Sequence, residues 1–153
     1  MKVLGLRNYS KGIRYCILEK VGDRICFVNK NTETKINKPC GYDGKELYLW
    51  YKNEIKRILD TNQGVTAVAI KQNENSVSSC YKKLKDVMFF DCIASMAVYE
   101  QNLEMKSFVY NQLGLSSKTV KQQGETIVGE KLNKYWDEKI ADAIVVANKL
   151  LDI

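Results

Sequence analysis

The sequence contains no histidine. That absence removes Ser-His-Asp and Cys-His nucleophilic machinery and the usual histidine-bearing zinc sites. Cysteine is present five times, as Cys16, Cys26, Cys40, Cys80 and Cys92. An odd, scattered set with no C-x-x-C spacing forms neither a disulfide framework nor a zinc knuckle, and it reads as the reduced thiols of a cytoplasmic protein. No apolar run approaches the roughly 18 residues of a membrane span, and no basic segment followed by an apolar one marks a secretion signal. A soluble protein with no membrane partner is expected. The phosphate-cradling patterns G-x-G-x-x-G and G-x-x-x-x-G-K-[ST] are missing too, so dinucleotide and P-loop readings lack their loops. Proline occurs once, at Pro39.

The 153 residues fit one domain, 1–153, large enough to bury a core without a metal or disulfide staple. Lysine and arginine number 24 against 18 aspartates and glutamates, a net charge of +6. Such an excess attracts polyanions over about a Debye length, which makes nucleic acid a candidate partner, although a lysine-rich background composition gives the same balance.

Met1 to Leu6 and Ile13 to Lys20 flank the polar turn Asn8 to Gly12 and predict a hairpin, with a third strand at Arg24 to Asn29 after the Gly22-Asp23 turn. Asn29 to Gly44 reads as a loop with room for a short extended piece at Thr34 to Asn37. Lys45 to Thr61 places Leu47, Trp50, Tyr51, Ile55, Ile58 and Leu59 at helical spacing. Tyr48 falls on the outward side of that wheel, where a ring could stack on a base. Val65 to Ile70 is a wholly apolar, β-rich run expected at the centre of a sheet. A long helix from about Ser78 to Gln101 follows, with Leu84, Met88, Cys92, Ser95, Met96 and Tyr99 on the stripe expected to face the sheet. Met105 to Tyr110 alternates as a strand. The polar, basic stretch carrying Lys118, Lys121, Lys131 and Lys134 is expected to contain a helix, and Trp136 to Leu151 is a last amphipathic helix. Three strands before the first helix separate this order from a doubly wound sheet.

At three places the local sequence resembles the RuvC branch of the ribonuclease H-like nucleases. Leu4-Gly5-Leu6 and the following turn look like that family's first hairpin, Val68-Ala69-Ile70 like its fourth strand, and Lys139-Ile140-Ala141-Asp142-Ala143 like its D-x-x-D-A signature on the last helix. The resemblance implies an α/β fold: a five-stranded mixed sheet, its first three strands antiparallel, with helices packed on it. It also implies four acids that gather Mg²⁺ or Mn²⁺ to activate water and stabilise the displaced oxygen. In this chain three of the four positions hold Arg7, Lys71 and Lys139, and only Asp142 keeps a carboxylate.

Three cations and one carboxylate invert the sign expected of such a pocket. At about 5 Å and an effective dielectric of about 20, each unit pair interacts by about 3 kcal/mol, so misplaced cations repel a divalent ion. No metal or other cofactor and no catalytic residue is therefore expected, and Asp142 is read as the vestige of an acidic site. Arg7, Lys71 and Lys139, with Lys118 and Lys121, are instead the candidate residues for holding a phosphate or a nucleic-acid backbone. The plainer reading is a surface ion pair between Lys139 and Asp142, three apart on a helix, with Arg7 and Lys71 neutralised nearby. Two other functions stay open. One is a protein-interaction module of regulatory or immunity type; the other is a metal-dependent nuclease rebuilt from Glu74, Asp137 and Asp142. DNA, RNA or protein as partner, and the oligomeric state, are not decided by the residues.

Overall fold

The structure, a computed structural model, describes residues 1–74, 81–132 and 135–153. Cys80, Lys134 and the expected start of the long helix at Ser78 lie outside the described residues.

The strands are β1 (Lys2–Tyr9), β2 (Gly12–Val21), β3 (Arg24–Phe27), β4 (Lys35–Asn37), β5 (Val65–Lys71) and β6 (Glu104–Phe108). The helices are α1 (Gly44–Thr61), α2 (Tyr81–Glu100), α3 (Tyr110–Leu113), α4 (Val120–Val128) and α5 (Glu138–Leu151). The sheet runs β3-β2-β1-β5-β6, with β1 and β2 antiparallel, β1, β5 and β6 parallel, and β3 antiparallel to the far end of β2. β4 makes it a six-stranded sheet rather than the expected five. It is the extended piece of the long loop, and it pairs with Gly12, Ile13 and Arg14 because the ten-residue β2 has more edge than β3 can cover.

Side chains alternate across the sheet and divide the core in two. Leu4, Leu6, Ile13, Ile17, Val68 and Ile70 face α1 and α2, where Leu47, Tyr51, Ile55, Phe90 and Val98 close on them. The rings of Tyr51 and Phe90 stack at 4.4 Å. Val3, Cys16, Leu18, Ala67 and Ala69 face α5 and meet Ile140, Ala143, Ile144 and Ala147. Gly5 permits that second layer. A Cβ placed on it would lie 2.1 Å from the Ala143 carbonyl oxygen, so α5 lies against β1 backbone to backbone. The leucine triplet with a central glycine thus fixes how close the last helix sits.

The stripe expected to pack α2 on the sheet is instead its outer face. Met88, Met96 and Tyr99 are exposed, whereas Val87, Phe90, Ala94, Ala97 and Val98 are buried. α2 is apolar nearly all round, so the larger residues dominated the reading, while the small Ala94 and Ala97 are what allow close approach. Tyr48 also departs from expectation: it is half-buried, its ring 4.9 Å from Phe89. Trp50 and Tyr51 belong to the core layer as expected. No helix among the described residues is long and apolar enough to cross a membrane.

Candidate functional site

The C-terminal ends of the parallel strands β1 and β5 lie side by side, and the first turns of α5 cover them. Period-2 alternation sends Arg7 and Tyr9 towards α5 and Asn8 to the opposite layer. Arg7 reaches Asp142, with Nε 2.8 Å from Oδ2; its side chain is 14% exposed and that of Asp142 is fully buried. Arg7 Nη1 also donates to Asn73 Oδ1 at 2.5 Å. Tyr110, at the start of α3, donates its hydroxyl to Asp142 Oδ1 at 2.7 Å. Burial pushes the Asp142 carboxyl above its ordinary range, although Arg7 and Tyr110 pull it down. The Tyr110 hydroxyl is pushed far up by burial and by the Asp142 acceptor, so it remains a donor.

Lys71, at the end of β5, is 1% exposed. Its ammonium donates to Glu74 Oε2 at 2.5 Å and to the Gln72 carbonyl at 2.9 Å, and it lies 3.9 Å from the centre of the Tyr110 ring. Burial works against ionisation of Glu74, but Lys71 and the Tyr110 backbone amide outweigh it and hold its carboxyl below the usual range. Two cations and two carboxylates therefore cancel in a chain Glu74–Lys71–Tyr110–Asp142–Arg7. Of the inverted charge expected for Arg7, Lys71, Lys139 and Asp142, the fold leaves one positive charge, that of Lys139, because Glu74 closes on Lys71 from three residues downstream.

The expected ion pair between Lys139 and Asp142 is not formed. Asp142 turns inward to Arg7, while Lys139 is half-buried with its ammonium 5.3 Å from the centre of the Tyr9 ring. Asp137 has a different task. It caps α5, accepting from the Lys139 and Ile140 amides at 3.0 Å each, and its other oxygen takes the Arg14 guanidinium. Arg14 stands directly across from Arg7 in the hairpin. Two arginines of adjacent strands, which would repel each other, are thus each tied to a carboxylate of the last helix. Lys118 and Lys121 are exposed just before and within α4, and among the described residues neither joins the Arg7–Asp142 or Lys71–Glu74 pair.

Behind the sheet end, in the other layer, lies a second polar group. Asn8 is fully buried; it accepts from the Tyr51 hydroxyl and donates to Asp91 Oδ1 at 2.6 Å. Asn73 donates to the other Asp91 oxygen at 3.4 Å, which joins this group to Arg7. Burial raises the Asp91 carboxyl in spite of these donors. Neither Asn8 nor Asp91 stood out in the sequence, since a single asparagine after Arg7 and an aspartate on an apolar helix carry no spacing signal.

These residues do not fit a divalent ion. Hard cations need several carboxylate oxygens converging on one point. Glu74, Asp137 and Asp142 are held by Lys71, Arg14 and Arg7 respectively, and among the described residues no three acidic, cysteine or histidine groups gather as a metal site.

Solved structures with the same arrangement of elements define its class. Thermus thermophilus RuvC in complex with a Holliday junction substrate superposes with a TM-score of 0.76 at 14% identity, covering 96% of this chain and 90% of that one. The fowlpox virus Holliday junction resolvase gives 0.55 at 12% identity over 99% and 98% of the two chains. The yeast mitochondrial Holliday junction resolvase gives 0.55 at 14% identity over 95% and 76%. No protein-family model matches the sequence, and no curated protein matches it. The chain has a ribonuclease H-like fold. Within that class its arrangement is RuvC-like.

Proposed function

We propose that this chain is a nucleic-acid-binding domain of RuvC-like fold that does not carry out metal-dependent strand cleavage. The observation that carries the reading is the Arg7–Asp142 pair. A guanidinium lies against the buried carboxylate at the end of β1, which supports reading a cation of the protein itself in the place of a metal.

In this reading the end of the sheet binds phosphate oxygens without polarising them for attack. Lys139, half-buried beside Tyr9, and the exposed edge of Arg7 are the nearest donors. The charge of Lys71 is cancelled by Glu74, whereas Lys118 and Lys121 extend the basic surface by way of α4, which packs on α5. Fold likeness to proteins solved with or named for Holliday junctions supports nucleic acid as the polyanion, and the net charge of +6 agrees with it.

The test is a binding titration with four-way DNA junctions, duplex DNA and RNA over a range of salt, with and without Mn²⁺, run on gels that also report cleavage. Salt-sensitive binding without cleavage is expected, and Lys139→Ala is expected to flatten the log-log salt slope by about 0.9 on duplex DNA. Cleavage that requires Mn²⁺ overturns the reading in favour of a rebuilt metal site. Absence of binding at low salt overturns it in favour of a protein partner.

A further inference from the structure

The β1–β2 turn has a second neighbour besides Tyr9 and Lys139. On the α1 and α2 side of the sheet, an open groove of about 560 Å³ runs between that turn, the segment after β4 and the first turns of α2. Lys11 comes from the turn, Lys38 from the segment after β4, and Lys82 and Lys83 from α2. Three separate stretches of chain thus bring four lysines to one concavity. The Lys38 amide donates to the Lys11 carbonyl at 2.8 Å, which fixes two of them side by side. Asp86 is the carboxylate on the groove wall, and Asp43, just outside, lies 3.8 Å from Lys82. Among the described residues Lys11, Lys38 and Lys83 have no carboxylate partner.

The groove is not purely polar. Tyr42 stands on its wall with 42% of its surface exposed and belongs to none of the core clusters. Lysines along a concavity with an aromatic ring among them are what a single strand of nucleic acid needs: the cations follow the phosphates, and the ring takes a base face. A duplex satisfies only the first requirement, because its bases are already stacked.

We infer that this groove, through Lys11, Lys38, Lys83 and Tyr42, binds a single-stranded stretch of nucleic acid. The inference rests on the nucleic-acid reading above and adds a second binding surface to it. Ser10 lines the groove and directly follows Tyr9, on which Lys139 lies. A strand that crosses the hairpin tip therefore passes from the groove to the Arg7 side of the sheet without leaving the protein surface.

The experiment is a salt-dependent anisotropy titration of the full chain with fluorescein-labelled oligothymidylate and oligouridylate of about 16 nucleotides, and with a blunt duplex of the same length. Wild type is compared with Lys11→Gln/Lys38→Gln/Lys83→Gln, with Tyr42→Ala and with Lys139→Ala. The triple variant is expected to lower the single-strand salt slope by about 2, roughly 0.7 for each phosphate no longer neutralised by a lysine. Tyr42→Ala is expected to weaken single-strand binding about 10-fold and to leave the duplex unchanged. Equal loss on thymidylate and uridylate assigns the groove to both sugars; loss on one alone assigns it to that one. Wild-type binding with an unchanged slope in the triple variant, or equal weakening of single strand and duplex by Tyr42→Ala, overturns the groove while leaving the Lys139 face standing. No wild-type binding to any probe at low salt overturns both.

Discussion

Removing either member of the Arg7–Asp142 pair should destabilise the protein, but with different pH dependence. At 2.8 Å and an effective dielectric of about 20, the gross attraction is about 6 kcal/mol. Much of it is offset by desolvation, since the carboxylate is fully buried and its acidity is already weakened by burial. Breaking such a pair costs about 3–5 kcal/mol, chiefly as the penalty of the charge left behind. Asp142→Ala leaves a guanidinium that cannot shed its proton and removes a carboxyl whose raised folded-state pKa favours the wild type at low pH, so its cost should be largest below the ordinary carboxylate range and fall as pH rises through the folded value. Arg7→Met leaves a carboxylate that can take up a proton. Its raised folded-state pKa rises further, so the variant is most stable below the ordinary value and loses stability as pH rises through the folded value. The double variant Arg7→Met/Asp142→Ala leaves no charge at this pair and should recover most of the loss. Urea unfolding at several pH values measures this: with a slope of about 2 kcal/mol per molar, a 4 kcal/mol loss moves the midpoint by about 2 M. Single-variant losses below about 1 kcal/mol that simply add in the double variant would refute the reasoning.

The Gly5 close approach gives a second prediction: Gly5→Ala drives a methyl into the Ala143 carbonyl and should cost at least 3 kcal/mol or prevent folding, whereas Gly22→Ala, in open space at φ +60°, should cost about 1 kcal/mol; thermal melts compare the two. Asp91 carries a raised pKa, so its contribution to stability falls as pH rises through the interval above its ordinary 3.8. Asp91→Asn should flatten the dependence of the melting temperature on pH there while keeping an acceptor for Asn8, and an unchanged profile would show that Asp91 does not titrate in that interval. Restoring acids by Arg7→Asp/Lys71→Glu/Lys139→Asp should create divalent-cation binding measurable by calorimetry with Mn²⁺; silence in that variant would mean that the surrounding Asn73, Tyr110 and Glu74 no longer allow a metal geometry.

The sequence carried the fold wherever one face of an element is apolar. β1, β5, α1 and α5 have such faces, and their order sufficed to place the three short motifs on neighbouring elements. α2 resisted because it is apolar on more than one side, so hydropathy could not tell the face lined by Ala94 and Ala97 from the one lined by Met88 and Met96. The candidate site was legible as a set of residue types but not as a network. Spacing suggested that Lys139 meets Asp142; which cation reaches a carboxylate depends on rotation of the helix, and α5 turns Asp142 towards Arg7 of β1. The Glu74 clasp on Lys71 lies within three residues and was open to reading as an ion pair, whereas Asn8 and Asp91 meet only because α2 crosses the end of β1.

The two arginine clasps also bear on when the fold becomes complete. Arg7 and Arg14 sit on the first hairpin, made early in synthesis, while Asp137 and Asp142 are made more than a hundred residues later. Until α5 emerges, the hairpin can pair with itself and with β5, but it carries two opposed guanidiniums without counter-ions and a glycine-lined face open to water. Closure of the domain therefore awaits the last helix, and a chain ending before residue 137 would retain most of the sheet-forming sequence without the element that neutralises it. Such long-range dependence slows folding and lengthens exposure of the sheet, which places the vulnerable step of this protein's life in the interval between β6 and α5.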